Sequence, residues 1–317
     1  MAVTVKPYTP ARQFLRRVAQ TRLVEFALAR LKKPAIRRVM RQRCHDGETC
    51  MVFHDVEIET VNRCNGTCSF CPVNAKENPR PLARMEDAVF TRVVRELASM
   101  EYQGLIGLSS NNEPFLDSNI IQRIAECRTA CPKARLYLYT NGTLLNAEKV
   151  LLSVRAGLDK MVIDDYSDGL SLSPNVRQII AVLDRPDNDW AAPKVEVALR
   201  KRHEILRNRA GRAPNKSCAD YRAFALYAGA GCTNPFRQIV IRPTGLVSLC
   251  CNDTLGEVTL GDVSKQGLLA VWNGPEFRRV RRSLLTEGRR HLELCSSCDT
   301  TCLGLSEMFR LLCRRPS

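Results

Sequence analysis

Residues 64–72 read Cys64-Asn65-Gly66-Thr67-Cys68-Ser69-Phe70-Cys71-Pro72, three cysteines in one short loop, spaced by three and then two residues. A cubane iron–sulfur cluster takes one cysteine thiolate at each iron. Three thiolates so spaced can hold three irons of a [4Fe-4S] cluster and leave the fourth open to a cofactor. A structural zinc competes with this reading, but it would more naturally use two Cys-x-x-Cys pairs or add histidines. The four histidines, His45, His54, His203 and His291, form no ligand spacing.

The chain has 317 residues, 44% of them hydrophobic, enough core for one large or two modest domains. Fifteen cysteines would suggest disulfides in a secreted protein, yet the N-terminus has no apolar signal segment. No uncharged apolar run approaches the roughly eighteen residues of a membrane span. A cytoplasmic protein that uses thiolates as metal ligands is expected. The net charge of +15 is uneven, since residues 1–50 hold twelve Lys and Arg against Glu25, Asp46 and Glu48. Leu23, Phe26, Ala27, Leu31, Ile36, Val39 and Met40 recur there at roughly helical spacing, which predicts one or two amphipathic basic helices. Such helices pack on a main domain, or dock on a membrane surface, a nucleic acid or an acidic partner. No nucleic-acid motif supports the more specific options, so no nucleic-acid partner is expected.

From residue 55 strand-like and helix-like segments alternate: strands 55–62, 104–109, 135–140, 160–165 and 194–200, with helices 85–100, 118–131, 146–156 and 174–184 between them. Units of this length imply an α/β fold with a parallel sheet, open or barrel-like. The three-cysteine loop follows the first strand, at the carboxyl end where such folds place their sites. Alternation in the first strand turns Val56 and Ile58 to the helices and Glu57 and Glu59 inward; the last strand likewise turns Glu196 and Arg200 inward. Glu59 and Arg200 are expected either to pair or to contact substrate. From about 203 to 231 the chain changes character, with 207–216 reading as a loop rich in Gly, Pro and basic residues, giving a basic helical extension (1–52), an α/β domain (53–215) and a cysteine-marked domain (216–317).

The loop resembles that of the radical S-adenosylmethionine enzymes, whose open iron chelates the methionine end of the cofactor. The resemblance implies a partial (β/α)6 barrel and further cofactor contacts at strand ends. Asn111-Asn112-Glu113-Pro114 stands where the family usually has Gly-Gly-Glu-Pro, the segment that binds the methionine amine. Two asparagines replace the glycines, and asparagine tolerates left-handed backbone best after glycine. Thr140-Asn141-Gly142 resembles the family's segment near the ribose, and Phe70 corresponds to the aromatic beside the adenine.

Cys232, Cys250, Cys295 and Cys298, separated by 17, 44 and 2 residues, supply a second, complete set of thiolates. With the Gly245 turn and the stretch from Leu269 to Arg282, they look like the twitch and SPASM domains appended to radical S-adenosylmethionine barrels. Only Cys302 and Cys313 remain beyond them, so one auxiliary [4Fe-4S] cluster is expected rather than two. The same four cysteines could hold a structural zinc. The spacing resembles that of aminocyclitol radical dehydrogenases. Related enzymes epimerise sugar carbons using a hydrogen atom from a non-ligand cysteine, for which Cys218, Cys251 and Cys302 are the candidates. Cys127 and Cys131 are assigned to packing; Cys44 and Cys50 stand apart.

The expected protein is therefore a radical enzyme that oxidises or epimerises a hydroxyl-bearing carbon of a sugar, aminocyclitol or aminoglycoside in natural-product biosynthesis. Its expected catalytic residues are Cys218, Glu59 and Arg200, with Asp164 or Asp165 as a base. Glu57 and Glu59 would suit an amine. The resemblance implies a flavodoxin or ferredoxin as electron donor. A maturase of ribosomally made peptides and a non-catalytic metal-binding module are the alternatives.

Overall fold

Short runs rich in Val, Ile, Leu and Tyr alternate with amphipathic helices and assemble into one sheet. The computed structural model describes residues 2–7, 22–44, 49–204, 206–216 and 229–300. Among these the strands are β1 (Thr4–Lys6), β2 (Asp55–Ile58), β3 (Leu105–Gly107), β4 (Arg135–Thr140), β5 (Lys160–Tyr166), β6 (Val195–Arg200), β7 (Gln238–Ile241), β8 (Leu246–Ser248) and β9 (Thr259–Asp262). They lie side by side in the order β1-β6-β5-β4-β3-β2-β7-β8-β9. β1 to β7 are mutually parallel, and β8 and β9 follow antiparallel through a hairpin that turns at Gly245 (φ +82°). The sheet is open, as a partial barrel requires.

Helices α2 (Asp87–Ser99), α3 (Ile120–Ala130), α4 (Ala147–Arg155) and α5 (Pro174–Leu183) connect the parallel strands. Two start at side-chain caps: Asn146 accepts from Lys149 N (2.8 Å) and Ser173 from Val176 N (3.4 Å). The predicted first strand, 55–62, stops at Ile58. Glu59 turns to Arg80 in the following loop, and Val61 keeps only an isolated bridge to Arg84.

One sheet face is aliphatic. Val56, Ile58, Ile106, Leu136, Leu138, Met161, Ile163, Val195 and Val197 are wholly buried. Each such side chain contributes about 1.5–3 kcal/mol on leaving water. The alternate residues face a cavity inside the curved sheet.

The N-terminal segment supplies helix α1 (Arg22–Arg43) and, unforeseen in the sequence, the edge strand β1. Ile36, Val39 and Met40 are buried, so this half of the apolar stripe packs on the main body. The side chains of Leu23, Phe26, Ala27 and Leu31 lie outside the described residues. Cys44, just past α1, is joined to Cys50 as a disulfide. Cys127 and Cys131 are free and buried in the core, as expected of packing residues. The last part of the chain adds α6 (Leu268–Trp272), α7 (Pro275–Thr286) and α8 (Glu293–Ser296). Arg281 of α7 is fully buried; it donates to Pro235 O (2.8 Å) and Trp272 O (2.7 Å) and stacks on Trp272. Among the described residues no helix is long and apolar enough to cross a membrane.

Candidate active site

The parallel strands all end on one side, and the loops leaving β2 to β6 there surround a cavity of about 350 Å³. Cys64, Cys68 and Cys71 line one wall, with Phe70, Ser109 to Glu113, Thr140 and Asn141 beside them. All three thiols are free. Burial pushes the Cys64 thiol up to about 11 and, with its two neighbouring thiols, that of Cys68 up to about 12. A bound iron would take the place of those protons.

Glu113 ties this wall together. Its backbone N donates to Arg63 O (2.8 Å), and its carboxylate accepts from Thr140 Oγ1 (2.7 Å), Asn141 N (2.8 Å) and Phe115 N (3.2 Å). Asn141 Nδ2 in turn donates to Asn65 Oδ1 (2.7 Å) and lies 3.8 Å from Cys64 Sγ. The expected strand-end residues thus meet at the cysteine loop. Neither Asn111 nor Asn112 takes up left-handed backbone, so their tolerance of it is not used. Asn112 Nδ2 is instead buried at the cavity without a partner, a donor awaiting a ligand. Gly142 (φ +75°) closes the turn after β4, where a Cβ would meet Ile163 at 2.7 Å.

The inner sheet face supplies the rest. Glu57 accepts from Ser110 Oγ (2.6 Å) and Gln238 Nε2 (2.8 Å), with Tyr137 Oη at 3.5 Å, and burial pushes its carboxyl up to about 7. Asp164 accepts from Arg200 Nε (2.6 Å). Burial raises the Asp164 carboxyl while Arg200 opposes that rise. Tyr139 reaches the mouth half exposed, and Tyr166 packs 6.1 Å from the ring of Phe70.

One expected pairing fails here and one pair of alternatives narrows. Glu59 does not pair with Arg200; Arg80, in the loop after β2, reaches it first (3.1 Å), and both are nearly inaccessible. Asp165 points to the helix side and accepts from Ser173 N (2.8 Å) at the start of α5, leaving Asp164 as the cavity carboxylate. Cys218, Cys302 and Cys313 lie outside the described residues. Tyr137, Tyr139 and Gln238 were missed, though strand alternation alone places both tyrosines on the inner face with Glu57.

A second pocket gathers Cys232, Cys250, Cys295 and Cys298 with Arg289. These thiols are buried and free, and burial plus mutual repulsion drives that of Cys250 far up. Among the described residues no three His, Cys, Asp or Glu side chains are placed to hold a single metal ion. Each cysteine set instead brings its thiols to the lining of one pocket. Between the two sets stands Cys251. Its thiol lines the first cavity, its N donates to Gln238 Oε1 (3.2 Å), and its O accepts from Asn111 Nδ2 (3.2 Å).

Open parallel sheet, three-cysteine loop and buried four-cysteine pocket define a two-centre iron–sulfur enzyme. The chain belongs to the radical S-adenosylmethionine superfamily: residues 58–164 match its family model, and residues 232–299 match SPASM, an iron–sulfur cluster-binding domain. It is therefore an enzyme that binds [4Fe-4S] clusters and S-adenosylmethionine. It is similar to the S-adenosyl-L-methionine-dependent 2-deoxy-scyllo-inosamine dehydrogenase of Niallia circulans, 24% identical over 81% of this chain and 97% of the relative. Its fold is shared with BtrN in complex with AdoMet and 2-DOIA (TM-score 0.65, 22% identity, 79% of this chain and 94% of that one). Native anSMEcpe with bound AdoMet also shares it (TM-score 0.51, 11% identity, 78% of this chain and 89% of that one).

Proposed function

We propose that this enzyme removes a hydrogen atom from a hydroxyl-bearing carbon of an aminated ring, an aminocyclitol or aminoglycoside, and leaves a ketone. The observation that carries this is the cavity itself, with three thiols on one wall and Cys251, the neighbour of Cys250, on another. Bound at Cys64, Cys68 and Cys71 and at Cys232, Cys250, Cys295 and Cys298, the cofactors supply hydrogen-atom abstraction and a one-electron acceptor. Phe70, Asn111, Asn112, Glu113, Thr140 and Asn141 form the cofactor's wall. Glu57 receives the substrate's ammonium. Asp164 accepts the hydroxyl proton as the carbon is oxidised, and Arg200 keeps it charged and aimed. Low-potential electrons come from a flavodoxin or ferredoxin.

Cys251 favours a second reading, epimerisation, because a free thiol on the cavity wall can return a hydrogen atom to the ring. Turnover in deuterated water separates the two. With 2-deoxy-scyllo-inosamine, and then larger aminated sugars, a ketone without carbon-bound deuterium supports oxidation. One deuterium at an inverted carbon supports epimerisation. Neither product with any aminated ring would overturn both.

A further inference from the structure

We propose that Arg209 is a substrate-orienting residue, set in the cavity by a strap that the second cysteine segment anchors. The inference rests on reading the cavity as the site of an oxygen-bearing, aminated ring. Residues 206–216 pass along the cavity after β6, and Arg209 (φ 50°), Ala210 (φ 54°) and Gly211 (φ 85°) are left-handed in succession. Non-glycine residues in that region are strained and persist only where their surroundings over-determine them.

Those surroundings are on both sides. Asn208 is buried; its N donates to Asp299 Oδ2 (2.9 Å), its Nδ2 donates to Ser297 O (2.6 Å), and its Oδ1 accepts from Asp299 N (3.2 Å). Lys216 Nζ also donates to Asp299 Oδ2 (2.8 Å). Ser297 and Asp299 flank Cys298. At the other end Asn215 Nδ2 donates to Ser69 Oγ (3.0 Å), between Cys68 and Cys71. The strap is thus tied to both cysteine segments.

What it presents is a cation. Arg209 lines the cavity, and its charge acts on Glu57, Cys71 and Cys251. Its guanidinium has no hydrogen-bond or ion-pair partner among the described residues, whereas Arg200 is engaged by Asp164 and Arg80 by Glu59. Glu57 and Arg209 together offer one acceptor for an ammonium and one fork of donors for ring oxygens. The methionine carboxylate of the cofactor has the same chemistry. The substrate is the better match, because the charge of Arg209 bears on Glu57 and Cys251 and is not among the groups that bear on Glu113.

The test uses the enzyme with both clusters loaded, comparing the wild type with Arg209→Gln, Arg209→Lys and Asn208→Leu. S-adenosylmethionine affinity by equilibrium dialysis, and 5′-deoxyadenosine formation without substrate, should change less than twofold in Arg209→Gln. A tenfold loss there would make Arg209 a cofactor residue and overturn the proposal. With 2-deoxy-scyllo-inosamine or whichever aminated ring the wild type accepts, KM should rise at least tenfold, kcat should fall less, and Arg209→Lys should recover part of the loss. An unchanged KM overturns it. A wild type that accepts no aminated ring defeats the functional reading instead, and hydrogen exchange then decides the strap. Amides 206–212 should exchange at least tenfold faster in Asn208→Leu, and in Asp299→Ala as a second variant, than in wild type; equal rates contradict the anchoring.

Discussion

Glu57 stands on the inner face of β2 with three neutral neighbours, Ser110, Gln238 and Tyr137, and no paired cation, so burial dominates and its carboxyl sits near 7. Arg209 opposes that rise, while Asp55, Glu59, Tyr137, Tyr139 and Cys251 are further titratable groups coupled to it. Substrate ammonium needs the ionised form, so affinity should fall about tenfold per pH unit below 7 and level off above it. Glu57→Gln should flatten this profile and raise KM more than tenfold; a pH series of KM checks it. Stability carries the opposite sign. The unfolded carboxyl ionises near 4.3, before the folded one, so stability present below that pH is lost as pH rises through about 7. Glu57→Gln should remove this group's share of the decline in urea melts between those values. Alternation made both Glu57 and Glu59 readable as inward residues. Glu59's partner was not readable, because Arg80 comes from an irregular loop with no period to follow. A thiol that returns hydrogen predicts that Cys251→Ser ends any solvent deuterium incorporation while 5′-deoxyadenosine still forms.

At the level of strands and turns, Gly107 shows how the cavity is shaped. A Cβ there would lie 2.4 Å from Tyr137 Cζ, so the missing side chain is what lets the Tyr137 ring lie across the inner face beside Glu57. Gly107→Ala should destabilise the fold by about 1–3 kcal/mol, as overpacking does, and raise KM as Tyr137 shifts. Urea denaturation and substrate kinetics would show it, and wild-type behaviour in both would remove Gly107 from this role. The strand and helix series from β2 to β6 could be read from periodicity because each element buries one clean aliphatic face. β1 could not, since its three exposed residues carry no pattern and are held only by the edge of β6. The stretch 207–216 was legible as a loop from its Gly, Pro and basic residues, but its left-handed course was not, since Arg209 and Ala210 advertise no such turn.

For the whole molecule, the pairing of β7 with β2 matters most, because it puts the four-cysteine segment on the same sheet as the three-cysteine loop. The cysteine spacing foretold both sets, but only the fold shows Cys251 between them and the strap joining them. Replacing Cys295 and Cys298 by alanine should halve the iron content and abolish product while sparing much of the cofactor cleavage; equal loss of both activities would argue against separate centres. The most direct measurement is iron content with reductive cleavage of S-adenosylmethionine by dithionite, made on anaerobically reconstituted protein and on a Cys64, Cys68, Cys71 triple alanine variant. About eight irons per chain with 5′-deoxyadenosine from the wild type, and no 5′-deoxyadenosine from the triple variant, is the expected result. Cleavage that survives the triple substitution, or zinc in place of iron, would contradict it.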